Sequence, residues 1–100
     1  IVFSSSWSNR SFEAVVEETI TQPNGEVRLI VRRTTEIYAD PRNSLHISED
    51  TQLFDIDGNL ASIDVMKPVY SVKVILADSF LEEVPFYYPT VYKVEVLRAN

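Results

Sequence analysis

The chain contains no cysteine, and this absence excludes several kinds of chemistry at once. Disulfide bonds, thiolate metal sites and cysteine nucleophiles all require that side chain. Histidine is nearly absent too, because His46 is the only one among 100 residues. A zinc site could therefore draw only on carboxylates beyond one imidazole, which is a poor donor set for this ion. We expect neither a metal nor a cofactor.

Basic residues and long apolar runs are also scarce. Nine Lys and Arg residues face fifteen Asp and Glu residues, and the formal net charge is -6. An acidic chain repels phosphate backbones, so we expect no nucleic-acid partner. The arginines at positions 28, 32 and 33 lie close to several glutamates, which predicts a solvated strand face of mixed charge. No apolar run approaches the ~18 residues of a membrane-spanning helix, so we expect no membrane span.

What the chain does contain is enough apolar material for one folded core. The composition is 45% hydrophobic and 11% aromatic, which argues against a disordered segment. A length of 100 residues is typical of one domain, so we interpret residues 1–100 as a single β-rich domain.

Two segments near the end of the chain carry the strongest secondary-structure signal. Residues 69–76 have the sequence VYSVKVIL, and residues 91–98 have the sequence VYKVEVLR. Apolar and polar side chains alternate along both, which is the pattern of half-buried strands. We predict that the two strands are antiparallel neighbours, with Lys73 opposite Glu95. Three apolar pairs would then share one buried face: Val72 with Val96, Val74 with Val94, and Leu76 with Tyr92.

A hairpin is predicted in the first half of the chain, around the sequence QPNGEV at residues 22–27. Its Asn-Gly dipeptide is typical of hairpin turns. A four-residue loop would oppose Ile20 to Leu29 and would keep the apolar side chains on one face, so we prefer this register. The alternative is a type I turn followed by a bulge, which opposes Ile20 to Arg28.

Together these patterns predict a mainly β fold, a small antiparallel β-sandwich or flattened barrel of six to seven strands. One helical turn is expected at 79–84, where the sequence SFLE has the form of a capping box. The alternative is an α+β fold with a helix at 11–20 packed on an antiparallel sheet, because apolar residues there also fit helical spacing. The β-branched residues TIT that end this segment favour the strand.

An alternation of oxygen-bearing side chains at Asp55, Asp57 and Asn59 invites comparison with a calcium loop. An EF-hand loop places glycine at its sixth position and a bidentate glutamate at its twelfth. Counted from Asp55, the glycine comes two residues early and the closing position is Met66. We therefore predict a tight β-turn and no metal site.

A Ser-His-Asp set can also be drawn from Ser44 or Ser48, His46 and Asp50. Catalysis by such a set requires convergence in space and an oxyanion hole, and neighbouring positions in a sequence supply neither. The glycines of a nucleophile elbow are also missing here. We expect no catalytic residues and no enzymatic activity.

The aromatic residues between 86 and 92 are the best candidates for a binding surface. Tyrosine is enriched at interfaces because it combines a large contact area with a polar tip. The candidate contacts are Tyr87, Phe86, Tyr88 and Trp7. Tyr87 has the opposite strand parity to its two neighbours, so we predict that Tyr87 is exposed. Tyr92 is predicted to belong to the core.

We expect a non-catalytic binding or assembly module that acts through protein–protein contacts, with another protein or a second copy as partner. Self-association by strand pairing is one route, since an open sheet edge can accept a further strand. The alternative function is a carbohydrate- or small-ligand-binding β domain that uses the aromatics at 86–92.

Overall fold

Seven strands form a single sheet in the computed structural model, which describes residues 9–35, 41–83 and 85–99. The mainly β class is therefore confirmed. In chain order the strands are β1 (Asn9–Thr21), β2 (Val27–Arg33), β3 (Arg42–Ile47), β4 (Gln52–Phe54), β5 (Ser71–Ala77), β6 (Phe86–Tyr88) and β7 (Val91–Arg98). A short 3-10 helix, Ile63–Val65, lies between β4 and β5. The alternative helix at 11–20 is wrong, because those residues lie in β1.

The strands lie in the order β4-β7-β5-β1-β2-β3-β6. Four of the six neighbouring pairs in this described sheet are antiparallel as predicted, whereas β3–β6 and β4–β7 are parallel. The parallel pairs arise because the segment that contains β3 and β4 runs alongside the segment that contains β6 and β7. The two segments are joined by a buried hydrogen bond of 2.8 Å, which the Thr51 hydroxyl donates to the Val91 carbonyl.

The core lies against one face of the sheet. Along β5, every second side chain is buried, as the alternation of its sequence predicts. The largest side chains with no exposed surface are Leu29, Val31, Leu45, Val72, Val74, Leu76 and Val94. Burial of each such side chain contributes about 1.5–3 kcal/mol relative to an exposed position. Among the described residues, no helix is long and apolar enough to cross a membrane.

The β1–β2 hairpin follows the alternative register, and the preferred four-residue loop is wrong. Ile20 lies opposite Arg28, and the pairing then shifts by one residue at a bulge at Glu17. Beyond the bulge, Val16 lies opposite Val31, and both side chains are buried. A bulge places one extra residue in a strand, so it reverses the face on which the following side chains lie. The turn geometry and the apolar pattern are thus both satisfied.

The predicted β5–β7 register is confirmed at Lys73 opposite Glu95 and at the two valine pairs beside it. It fails at Leu76, which lies opposite Val91 because a second bulge interrupts the ladder. Val91 takes the inward position and is 4% exposed, whereas Tyr92 is 42% exposed. The prediction that Tyr92 belongs to the core is therefore wrong.

The cluster of three arginines is divided between the two faces of β2. The side chain of Arg33 is buried in the core, with its guanidinium carbon 3.9 Å from the centre of the Phe12 ring. It donates hydrogen bonds to Oδ1 of Asn43 at 2.6 Å and to the hydroxyl of Tyr88 at 2.7 Å. The predicted mixed-charge face holds for the other two arginines, which pair with glutamates. It is wrong for Arg33, which has the parity of Leu29 and Val31, the two core residues of β2.

Candidate functional site

Tyr87, the aromatic side chain that was predicted to be exposed, is buried. Only 7% of Tyr87 is exposed, although its side chain does lie on the face opposite to that of Phe86 and Tyr88. That face is covered at β6, because the guanidinium carbon of Arg28 lies 4.0 Å from the centre of the Tyr87 ring. Tyr87 therefore lies on the predicted face, but the prediction that it is exposed is wrong.

The cover over Tyr87 is a cluster of charged and polar side chains: Glu26, Arg28, His46 and Glu83. The carboxylate of Glu26 accepts hydrogen bonds from the Tyr87 hydroxyl and from Nε of Arg28, both over 3.3 Å. It also lies 3.2 Å from Nδ1 of His46, although that nitrogen is not aligned for a hydrogen bond. Glu83 pairs with Arg28 across 3.5 Å. Glu26 and Glu83 both pair with the one guanidinium of Arg28, and through the Glu26–Tyr87 hydrogen bond the cluster connects β6 to β2.

The electrostatic environment keeps the Tyr87 hydroxyl protonated. Burial, followed by the negative charge of Glu26, raises the pKa of Tyr87 above its usual value of 10.0. Tyr87 is therefore neutral near pH 7, and its hydroxyl donates the hydrogen bond to Glu26.

An exposed apolar patch lies next to β6, on the segment that connects β5 to β6. We name it the Phe80–Leu81 patch, because Phe80 is 37% exposed and Leu81 is 50% exposed. The Phe80 ring stacks on Phe86 with 4.9 Å between ring centres, and its centre lies 5.4 Å from that of Tyr88. Phe80 therefore closes the end of the core while part of its ring stays in contact with solvent. Phe86, a predicted contact, is half-buried beneath it.

The backbone under this patch is not helical, so the helical turn predicted at 79–84 is wrong over its described part, residues 79–83. Leu81 exchanges two backbone hydrogen bonds with Tyr87, at 2.8 and 3.0 Å. These hydrogen bonds and the stacking of Phe80 on Phe86 outweigh the weak helical preference of the capping-box sequence. The sequence signal for the patch was two adjacent apolar residues in a connection, followed directly by Glu82 and Glu83.

A groove of about 310 Å³ lies where the two parallel pairs meet. It is lined by His46, Ser48 and Asp50 on one side and by residues 89–92 on the other. Between β3 and β4, and again between β6 and β7, the chain leaves the ladder for a few residues. The groove is the space left between these two unpaired stretches.

The groove brings Ser48, His46 and Asp50 together, but the serine is engaged in its own turn. Its oxygen accepts a hydrogen bond from the backbone N–H of Asp50 over 3.2 Å and lies 3.4 Å from Oγ1 of Thr51. Because the Thr51 hydroxyl donates to the Val91 carbonyl, the proton between the two hydroxyls comes from Ser48. These contacts give Ser48 a structural role in the turn.

The predicted turn at Asp55 is confirmed. Its Oδ1 accepts hydrogen bonds from the backbone N–H groups of Asp57 at 2.9 Å and Asn59 at 3.0 Å. Gly58 has a φ of +85°, a conformation that glycine adopts without strain. The first carboxylate of the acidic stretch is thus engaged within the turn. Across the part of the chain that the structure describes, no three His, Asp or Glu side chains cluster as metal ligands.

No protein-family model matches the chain, and no curated protein or solved structure matches it either. Trp7, the remaining predicted contact, lies outside the described residues. The two candidates for a functional surface are therefore the Phe80–Leu81 patch and the groove beside Tyr92.

Proposed function

We propose that the chain is a non-catalytic binding or assembly module that acts through protein–protein contacts, with the Phe80–Leu81 patch as its contact surface. The observation that carries this proposal is the exposure of two adjacent large apolar side chains on a backbone bonded to β6. An aromatic side chain that is already ordered by stacking loses little conformational freedom when a partner covers it. Exposed apolar patches with a polar rim often mark protein-binding surfaces.

Charge indicates which partner fits this surface. Glu82 and Glu83 follow the patch directly and are exposed, and the whole chain has a formal net charge of -6. A second copy would bring the same charges together, which opposes self-association. The partner that suits the patch is a protein segment with an apolar side chain next to Lys or Arg.

The contact is made by side chains and not by addition of a strand. Leu81 occupies the outer edge of β6, where it exchanges backbone hydrogen bonds with Tyr87. At the other end of the sheet, Leu60 bridges Phe54, and the backbone N–H of Ala61 donates to the carbonyl of Leu53 over 2.7 Å. The two edge strands, β4 and β6, are short. Each is bridged on its outer side by a neighbouring segment of the chain, at Leu60 and Leu81.

Selection of random displayed peptides on the immobilised domain tests the proposal. We expect the selected peptides to combine an aromatic or aliphatic residue with Lys or Arg. Leu81→Ser should weaken their binding about tenfold or more, since anchor residues of an interface carry most of the affinity. The variant should unfold within about 1 kcal/mol of the parent chain, because half of Leu81 is already exposed.

The matched control is Ile56→Ser, since Ile56 is 52% exposed and lies on the turn after β4. Equal loss of binding in both variants, or selection of acidic peptides, would contradict the proposal. Sedimentation velocity provides a second readout. A dimer in the parent chain that Leu81→Ser converts to a monomer would assign the patch to a second copy instead.

A further inference from the structure

A bulge in β7 places an aromatic residue, Tyr92, at the groove. By strand alternation, Tyr92 would share the inward face of Val94 and Val96, but the extra residue in the ladder turns its side chain outward. Tyr92 is among the residues that line the groove, and 42% of the residue is exposed. Bulges often re-aim side chains next to binding sites. Tyr92 therefore belongs to the lining of the groove and not to the core.

The groove combines this ring with a particular set of polar groups. Asp50, Thr90 and His46 are polar residues of its lining and Pro89 is an apolar one, whereas the side chain of Val91 faces the core. No lysine or arginine stands among the residues that line it, so the groove offers no compensation for an anionic ligand. Its volume of about 310 Å³ lies at the lower end of the range of about 300–1,000 Å³ found for small-ligand sites.

We propose that this groove binds one neutral sugar residue, with a face of the sugar ring against Tyr92 and its hydroxyl groups toward Asp50 and Thr90. A pyranose has an apolar face of C–H groups and a rim of hydroxyls. The tyrosine ring matches the first, and the carboxylate and hydroxyl acceptors match the second. This site shares no residue with the Phe80–Leu81 patch and goes beyond the protein-contact function.

NMR titration of the isotope-labelled chain with methyl glycosides of glucose, galactose, mannose and N-acetylglucosamine tests the proposal. We expect at least one glycoside to bind in the millimolar range, with shift changes confined to residues 46–50 and 89–92. Tyr92→Ala should weaken that binding about tenfold or more, which corresponds to loss of a contact of ~1.4 kcal/mol. Asp50→Asn should weaken it severalfold. Disaccharides of the bound sugar, run in parallel, distinguish a free monosaccharide from the end of a glycan chain.

Two matched control variants test whether a loss of glycoside binding is specific to the groove. Phe80→Ala removes an aromatic ring of similar exposure on the patch, and Asp57→Asn removes an exposed carboxylate on another turn. Neither should change glycoside affinity. Absence of binding by all four glycosides would overturn the proposal, and so would binding that Tyr92→Ala leaves unchanged. Tetramethylammonium that binds in the groove where no glycoside does would overturn it as well, in favour of a cationic ligand.

Discussion

Removal of a single hydroxyl group from Tyr88 should destabilise the fold measurably. In the core, Nη2 of Arg33 donates a hydrogen bond of 2.7 Å to this hydroxyl, and the two residues are 6% and 4% exposed. Tyr88→Phe keeps the ring and deletes only this acceptor. A hydrogen bond to a charged group contributes about 1.5–3 kcal/mol, and the loss falls at the upper part of that range where water cannot replace the acceptor.

Urea denaturation is the appropriate assay, because the midpoint shift equals the free-energy change divided by the slope. With a slope of about 1–3 kcal/mol/M for a small domain, the midpoint should fall by roughly 1 M in Tyr88→Phe. Tyr92→Phe is the matched control, since Tyr92 is exposed. Its free energy of unfolding should lie within about 0.5 kcal/mol of that of the parent chain. Equal midpoints for the two variants would refute the argument for a buried, charge-assisted hydrogen bond.

The same residue predicts a dependence of stability on alkaline pH. Burial raises the pKa of Tyr88 above 10.0, and the positive charge of Arg33 lowers the pKa only in part. The unfolded chain therefore releases this proton at a lower pH than the folded chain. Stability is complete below the unfolded pKa and falls as the pH rises through 10 toward the folded pKa. The decline above pH 10 should be smaller in Tyr88→Phe than in the parent chain.

Further predictions concern the bulges, the turns and the acidic loop. Tyr87→Ala should cost about 3 kcal/mol or more of unfolding free energy and Tyr92→Ala under ~1 kcal/mol, by urea denaturation; equal losses would contradict the observed faces. Gly25 has a φ of +90°, and a Cβ there would meet no atom within 4 Å. Gly25→Val should therefore cost roughly 1–2 kcal/mol from backbone strain alone, and an unchanged unfolding midpoint would exclude that strain. Val69 has a φ of 65°, so Val69→Gly should raise the free energy of unfolding by roughly 1 kcal/mol; a lower melting temperature in calorimetry would show that no strain was relieved. Calcium titration by calorimetry should be flat at sub-millimolar concentration, and a saturable heat that disappears in Asp57→Ala would disprove this.

Local sequence signals predicted the turns and the pairing of β5 with β7. The Asn-Gly and Asp-Gly dipeptides form the turns at Gly25 and Gly58, and both glycines have positive φ. The two alternating segments pair with Lys73 opposite Glu95 as their matched patterns require. These features depend on a few neighbouring residues, and so one sequence is enough to predict them.

The exposure of Tyr87 and Tyr92 could not be predicted in the same way, because it depends on how β6 and β7 pair with strands far away in the chain. Tyr92 is turned outward by a bulge in β7, and alternation alone cannot locate a bulge. Tyr87 is covered by Arg28 and Glu26, which the β2–β3–β6 pairing brings over it. The bulge at Glu17 had a visible signal, since two valines followed by two glutamates interrupt the alternation of β1.

The pairing of β3 and β4 with β6 and β7 has a consequence for the order in which the chain folds. The β1–β2 and β2–β3 hairpins close short loops. The pairing of β1 with β5 closes a long one, since it brings Val15 opposite Ser71. The parallel pairs also join distant residues, Asn43 with Phe86 and Gln52 with Lys93, so we expect them to close after the hairpins. Topologies with such distant partners fold in milliseconds to seconds. We therefore expect the joint between Thr51 and Val91 to form late and to open first on unfolding, so that a ligand held in the groove above it would slow the loss of the native state.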